Sequence, residues 1–390
     1  MIIGLERSKN SIYDRIVLEL ARGFRSFGHE CVIVDPSEIK SLADLYPLYG
    51  KCDWVIVTNN NALLSQKIGE AFLFEALPFK VVFLHHDALS HTSNDINEIN
   101  QKVGALIRVK DRCIHFSIEK EDELALQSLG VACYPIAHIN TLGFVTSNFD
   151  EEPAMDVSFI GHAIPPINGY IQFGFDDMNY FTSYQSRLKE FNHSLRNDFA
   201  KLYVSKHGER LFDSETLSSR IQYLLYANYY TMFLRGAVLQ ELNEWKIDLY
   251  GGDPAWMHGV EQTRNFVETH ITNHKPVFAP QDVAKIFSIS KVNLNITSLQ
   301  FDTGLINRVI DCISAGGFIL TDRKTQMFEL TSCTDRITYS SIDELKDKIR
   351  YFTSPTHQSE RKDLIKQMQK DFSANCSVER CVQQLLEKMF

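Results

Sequence analysis

The sequence predicts an α/β protein made of two Rossmann-like, doubly wound, mostly parallel domains that face each other across a cleft. Three observations lead there. The chain has 390 residues, more than one ordinary core accommodates. Short β-branched runs alternate with amphipathic stretches almost throughout, as βαβ units around a parallel sheet require. One polar, acidic, proline-containing stretch at about 141–157, TLGFVTSNFDEEPAMDV, separates two such series and reads as an interdomain connection. The expected domains are residues 1–145 and 155–376.

The elements follow in order. In the first series CVIVD (31–35), WVIVT (54–58), KVVFL (80–84) and IHFSI (114–118) are continuous apolar runs, as in strands covered on both faces. Ahead of them, SIYDRIVLELARGFRSFGHE places Ile12, Ile16, Leu20 and Phe24 at helical spacing, and Gly28 is positioned to end that helix. The second series contains VSFIG (157–161), IDLYGG (247–252), VNLNIT (292–297), FILTD (318–322) and RITYS (336–340). Between 162 and 235 the pattern changes to an aromatic, glycine-containing loop followed by long helical stretches. This is expected to be a helical insertion that lines an acceptor site or makes a homodimer contact. The last segment, SVERCVQQLLEKMF (377–390), reads as a helix that crosses back onto the first domain.

Composition narrows the class. Hydrophobic residues at 44% and charged residues at 23% are those of a soluble globular protein, and 26 Phe with 15 Tyr argue against extensive disorder. The net charge of −9 argues against binding driven by phosphate neutralisation, so no nucleic-acid partner is expected. The eight cysteines are scattered without a CxxC pair, which favours buried reduced thiols over disulfides or zinc. No basic start followed by an apolar run is seen, and no apolar run is long enough to span a bilayer, so a cytoplasmic protein without a transmembrane segment is expected.

In open α/β sheets ligands bind outside the carboxyl ends of the strands. FIGHA puts Gly161 and His162 at such an end, and LYGGDPAW puts Gly251 and Gly252 at the next. Glycine there lets a backbone approach a ligand, although turn chemistry explains a glycine pair equally well. No GxGxxG supports a nicotinamide dinucleotide site.

The stretch NLNITSLQFDTGLINRVIDCISAGG is more specific. Its strand ends near Thr297 and Ser298, and a loop with Asp302, Thr303 and Gly304 opens a helix expected from about Leu305, through Asn307, to Ala315. Free amides at a helix start and the helix dipole suit a phosphate or pyrophosphate. Arg308 lies in the first turn and can add a forked charge contact. Asp311, three residues on, shares that face and can accept from two ribose hydroxyls; the plainer alternative is an intrahelical ion pair. In the first domain KVVFLHHDALSHT places His85, His86 and Asp87 at the end of a buried strand, with His91 nearby. A histidine beside a carboxylate can serve as a general base, or can be a satisfied loop residue. No HExxH spacing accompanies these histidines, so zinc is not expected.

The segments DVSFIG, IDLYGGDPAW, APQDVAKIFSISKVNLNITS, GLINRVIDCISAGGFILTD and SIDELKDKIRYFTSPTHQSERK, in that order, resemble the CgeB-like glycosyltransferases of the broad group-1 type. The resemblance is strong over 245–360 and looser over 1–140, and it leaves 162–235 largely unmatched. It implies a GT-B fold and transfer of a sugar from a nucleotide-sugar donor, a UDP-sugar before a GDP-sugar, bound against the C-terminal domain. The acceptor (glycan, lipid, protein or small molecule) would enter from the N-terminal domain. It also implies that Asp311 is the ribose-binding acid, with aspartate where glutamate is usual, that Gly304 is the loop glycine and that Arg308 is the diphosphate arginine. Thr303, with Asp302 adjacent, stands where a second glutamate is usual. His162 stands where a basic residue often follows the first C-terminal strand, and Arg235 is the substitute. No cofactor or metal is implied. An inverting reaction would take His85, His86 or Asp87 as base; a retaining one would need none. The alternatives are a non-catalytic nucleotide-sugar-binding relative and an epimerase of the same fold.

Overall fold

The computed structural model describes residues 1–8, 11–35, 38, 41–58, 67–76, 79–87, 101, 104–143, 153–163, 231, 234–252, 261–298 and 300–390. Most of the expected insertion, and His91, lie outside these residues. Two six-stranded sheets organise the chain. The first contains β1 (Ile2–Glu6), β2 (Glu30–Val34), β3 (Trp54–Thr58), β6 (Lys80–His85), β7 (Cys113–Ser117) and β8 (Cys133–Pro135), in the order β2-β1-β3-β6-β7-β8. Every pairing in it is parallel. A small antiparallel pair, β4 (Lys67–Ile68) and β5 (Ala71–Phe72), lies between β3 and β6 in the chain.

The second sheet contains β9 (Met155–Ala163), β10 (Ile247–Gly252), β11 (Ile271–His274), β12 (Ser290–Asn295), β13 (Ile319–Asp322) and β14 (Thr338–Tyr339), in the order β11-β10-β9-β12-β13-β14. It too is parallel throughout. In each sheet the strand order reverses beside the first strand of the series, which is where an open α/β sheet leaves a crevice.

The apolar runs form the central strands because both faces are covered: Val55, Ile56, Val57, Val81, Val82, Phe83 and Leu84 are buried, as are Val157, Phe159, Val292 and Leu294. The first helix, Ser11–Ser26, buries Ile16, Leu20 and Phe24 against the first sheet, and Gly28 follows it at φ +81°. Ile12 departs from the expected buried stripe; it is 38% exposed and faces the space between the domains. The last helix, Val378–Met389, adds Val378, Cys381, Val382 and Leu385 to the first domain's core, so the chain returns to the domain where it began. Among the described residues no helix is long and apolar enough to cross a membrane.

Two strands of the large sheets were not anticipated, Ile2–Glu6 and Ile271–His274, whereas the run CYPIA forms the strand Cys133–Pro135. Ile271–His274 is an edge strand, paired on one side only, so its sequence need not be continuously apolar. The helix expected from Leu305 starts at Asn307, because Ile306 is extended (φ −88°, ψ 153°) and the Leu305 amide is bound by the Gln326 side chain at 2.8 Å.

The domains are fastened by Glu119, which caps the helix Lys120–Ser128 of the first domain. Its Oε2 accepts from the amides of Asp302 (3.0 Å), Thr303 (3.2 Å) and Gly304 (3.0 Å), and its Oε1 accepts from the Thr303 hydroxyl (2.9 Å). Nearby, His138 Nε2 and Gln326 Oε1 are 2.9 Å apart.

Candidate functional site

A cavity of about 520 Å³ opens between the carboxyl ends of the two sheets, a size ordinary for a small-molecule site. Its walls follow from strand ends in both domains. The chain after β6 supplies His86 and Asp87, the end of β9 supplies Ile160, Gly161 and His162, β10 ends in Tyr250 and Gly251, and Ser298 follows β12. The helix Asn307–Ser314 contributes Asn307, Arg308 and Asp311, and the first helix contributes Ile12, Tyr13 and Arg15.

Two arginines from different parts of the second domain meet here. Arg308 Nη1 donates to Asn295 Oδ1 at 3.0 Å, and its guanidinium carbon stands 5.4 Å from the centre of the Phe159 ring. Arg235 donates to the carbonyls of Ile296 (3.1 Å) and His162 (3.3 Å), and it lies 6.0 Å from the same ring centre. Gly161, at φ +153°, admits this packing, since a Cβ there would lie 2.7 Å from Arg308 Nη2. Among the described residues, no carboxylate comes within ion-pair distance of either guanidinium. The nearby acid Asp322 is held by the Thr297 amide (2.7 Å) and Lys324 (3.2 Å). Burial pushes Arg308 down to about 9, with the neighbouring Arg235 adding to the shift, and burial pushes Arg235 down to about 10. Arg235 is buried and Arg308 half-buried, and two mutually repelling cations withdrawn from water are costly unless an anion joins them.

Asp311 is nine-tenths buried and stands on the same helix. Burial raises it to about 6, against the opposing pull of Arg15 and the Thr141 hydroxyl. Thr141 Oγ1 donates to its Oδ1 at 3.3 Å, and Arg15 Nη2 lies 3.8 Å from its Oδ2. Across the cleft Asp87 Oδ1 accepts from Gln300 Nε2 at 2.9 Å. His86 lines the cleft as a neutral imidazole, pushed down to about 3 by burial, with His138 and His85 adding to the shift.

The structure therefore brings together His86, Asp87, Gly161, His162, Arg235, Gly251, Ser298, Asn307, Arg308 and Asp311. It sets the others apart. His85 lies behind the wall, its Nε2 2.9 Å from His115 Nδ1 and its ring stacked on Phe83 and His115. Gly252 is wedged against Leu249 and Asn273, Thr297 is buried on Asp322, and Leu305 is fully buried. The loop amides anticipated as a phosphate cradle belong to Glu119: Thr303 and Gly304 serve the domain contact, and Leu305 is bound to Gln326.

Sequence reasoning did not single out Arg15, Tyr250, Phe278 or Gln300. Arg15 carried a signal, because it stands three residues after Ile12 and one before Ile16, where the helix turns from its buried face toward the cleft. Tyr250 stands near the end of β10, and Phe278 and Gln300 are brought to the cleft by loops whose sequence has no pattern pointing to it.

Residues 232–387 match the model of a family described as glycosyl transferase-like. No curated protein matches the chain. Solved structures match over its whole length at low identity. An alpha-glucosyltransferase in complex with UDP-glucose and DNA containing an abasic site is 11% identical, with a TM-score of 0.59, covering 100% of this chain and 99% of that one. An alpha-glucosyltransferase in complex with UDP and a 13-mer DNA containing a HMU base is 12% identical, with a TM-score of 0.58 and coverage of 100% and 99%. BGT of T4 phage in complex with its UDP-glucose substrate is 10% identical, with a TM-score of 0.53 and coverage of 100% and 98%. The chain has the two-domain α/β fold of these glycosyltransferases, GT-B, and its residues 232–387 are similar to the glycosyl transferase-like family. One expectation is corrected. From the net charge of −9 no nucleic-acid partner is expected, yet proteins of this fold are solved with DNA, so overall charge is no argument against one. Net charge averages over a whole surface, whereas a local patch suffices for a bound strand.

Proposed function

We propose that the chain is a glycosyltransferase of the CgeB-like type, moving a sugar from a UDP-sugar donor to an acceptor nucleophile without a metal. The observation that carries this reading is the pair Arg308–Arg235, one half-buried and one buried cation without a carboxylate partner among the described residues, both lining the interdomain cleft. Their role is to hold the donor's diphosphate and to meet the charge that grows on it as the glycosidic bond breaks. Both guanidiniums are already held, by the Phe159 ring and by hydrogen bonds to Asn295 and the Ile296 carbonyl, so the stabilisation is preorganised. The amides of the first turn at Asn307 and Arg308, with the helix dipole, favour the same anion. On this reading Asp311 accepts from the donor's ribose, and UDP is preferred because the neighbours of this fold are solved with UDP or UDP-glucose.

The acceptor meets Asp87 and His86 on the opposite wall. Asp87, oriented by Gln300, takes the acceptor's proton in an inverting transfer, and neutral His86 can accept or relay it. Nucleic acid belongs among the acceptors to be tried. The test is nucleotide release from UDP- and GDP-sugars with and without duplex DNA, single-stranded DNA, glycans and small hydroxyl acceptors. Release that depends on an acceptor supports transfer. Conversion of the sugar without acceptor would mean an epimerase, and binding without turnover on any pairing would mean a non-catalytic relative.

A further inference from the structure

We propose that Arg15, on the first helix of the N-terminal domain, binds the donor's α-phosphoryl group, so that one ligand is held by cations from both domains. This rests on the reading that the cleft takes a nucleoside diphosphate sugar. Arg15 lines the cleft, and its side chain is 17% exposed. Its Nε and Nη1 are buried and have no hydrogen-bond partner among the described residues. Among the described residues its one ion pair is the loose one to Asp311, with Nη2 3.8 Å from Oδ2. A guanidinium carries five N–H donors in a fixed fork, and leaving buried ones unmade costs free energy that a structural role would not incur.

Position selects the ligand atom. Asp311 and Arg308 share a helix face three residues apart, and Arg15 reaches the cleft at the Asp311 end. If Arg308 and Arg235 take the outer phosphate and Asp311 takes the ribose, the group between them is the phosphate bonded to the ribose. Its two non-bridging oxygens match a fork in which two N–H groups point the same way. Asp311 then has a second use, holding Arg15 in place before the donor arrives.

Calorimetry with uridine, UMP and UDP on wild type, Arg15→Ala, Arg15→Lys and Arg308→Ala tests this. Arg15→Ala is expected to weaken UMP and UDP alike by about tenfold or more while leaving uridine unchanged. Arg308→Ala is expected to weaken UDP more than UMP. Arg15→Lys keeps the charge without the fork and is expected to recover only part of the loss. It also stands in if the alanine variant does not fold, which a thermal melt shows. UMP and UDP binding unchanged in both Arg15 variants, with Arg308→Ala still weakened, overturns the role of Arg15 alone. A wild type that binds none of the three overturns the donor reading itself.

Discussion

The Glu119 carboxylate accepts the Gly304 amide at 3.0 Å across the domain boundary, and a Cβ at position 304 would lie 2.6 Å from the Ile118 carbonyl oxygen. An acid from one domain thus occupies the amide nest of the other, and the glycine is what lets the two backbones approach. Glu119 is 1% exposed, and its oxygens satisfy three amides and a hydroxyl that would otherwise be orphaned.

Glu119→Ala is therefore expected to cost about 3 kcal/mol, since several buried donors lose a charged acceptor at once. Gly304→Ala should destabilise as well, because the clash is with backbone and cannot be relieved by a rotamer change. The double variant should lose less than the sum of the two, as both break one contact. Urea midpoints of the four proteins check this; strict additivity would mean that the two residues act separately.

Arg308→Met should separate stability from function. It replaces a half-buried cation, repelled by Arg235, with an unbranched apolar chain, so the melting temperature is expected to hold or rise. UDP affinity is expected to fall at least about tenfold, because a charge-assisted contact is lost. Thermal melts and calorimetry on the same preparation check both halves.

Asp87→Asn is expected to leave UDP affinity unchanged and to lower turnover by about 10²–10⁴, the usual contribution of a general base. Equal loss of binding and turnover would place Asp87 on the donor instead.

Acid should destabilise the protein early. Burial holds His86 and His115 down at about 3 and lowers His85 well below its ordinary value, so these three are neutral in the native state near pH 6; burial lowers His138 too. In the unfolded chain they take up protons from about pH 6.5 downward. Unfolding thus binds protons between about pH 6.5 and 3, and stability falls as pH falls, by up to about 1.4 kcal/mol per pH unit for each group. Asp311, raised to about 6, acts in the opposite sense between its ordinary value and 6, but it is one group against three. Urea midpoints at pH 7.5, 6.5 and 5.5 should decline together below 6.5; a flat profile would mean that these imidazoles titrate in the native state.

Much of the fold could be read from the chain because it rests on local pattern. The runs WVIVT and KVVFL are continuously apolar, and they become central strands with both faces covered. Edge strands such as Ile271–His274 escaped, because pairing on one side only asks for no apolar run. In the site, Arg308 and Asp311 were legible because helix spacing puts them on one face. Their partners were not, because Arg15 and Thr141 approach from 296 and 170 residues away in the chain.

Sequence alone thus determined the alternation of strands and helices, the two-domain plan and the helix that carries Arg308 and Asp311, all set by interactions a few residues apart. Tertiary structure decided which polar groups remain for a ligand. The nest at 302–304 reads as a phosphate site from its own residues, yet the buried carboxylate of Glu119 fills it. Arg235 and Arg308 have no carboxylate partner among the described residues and are left to line the cleft. Which donors are satisfied depends on what the fold brings alongside them, and in this chain that came from the other domain.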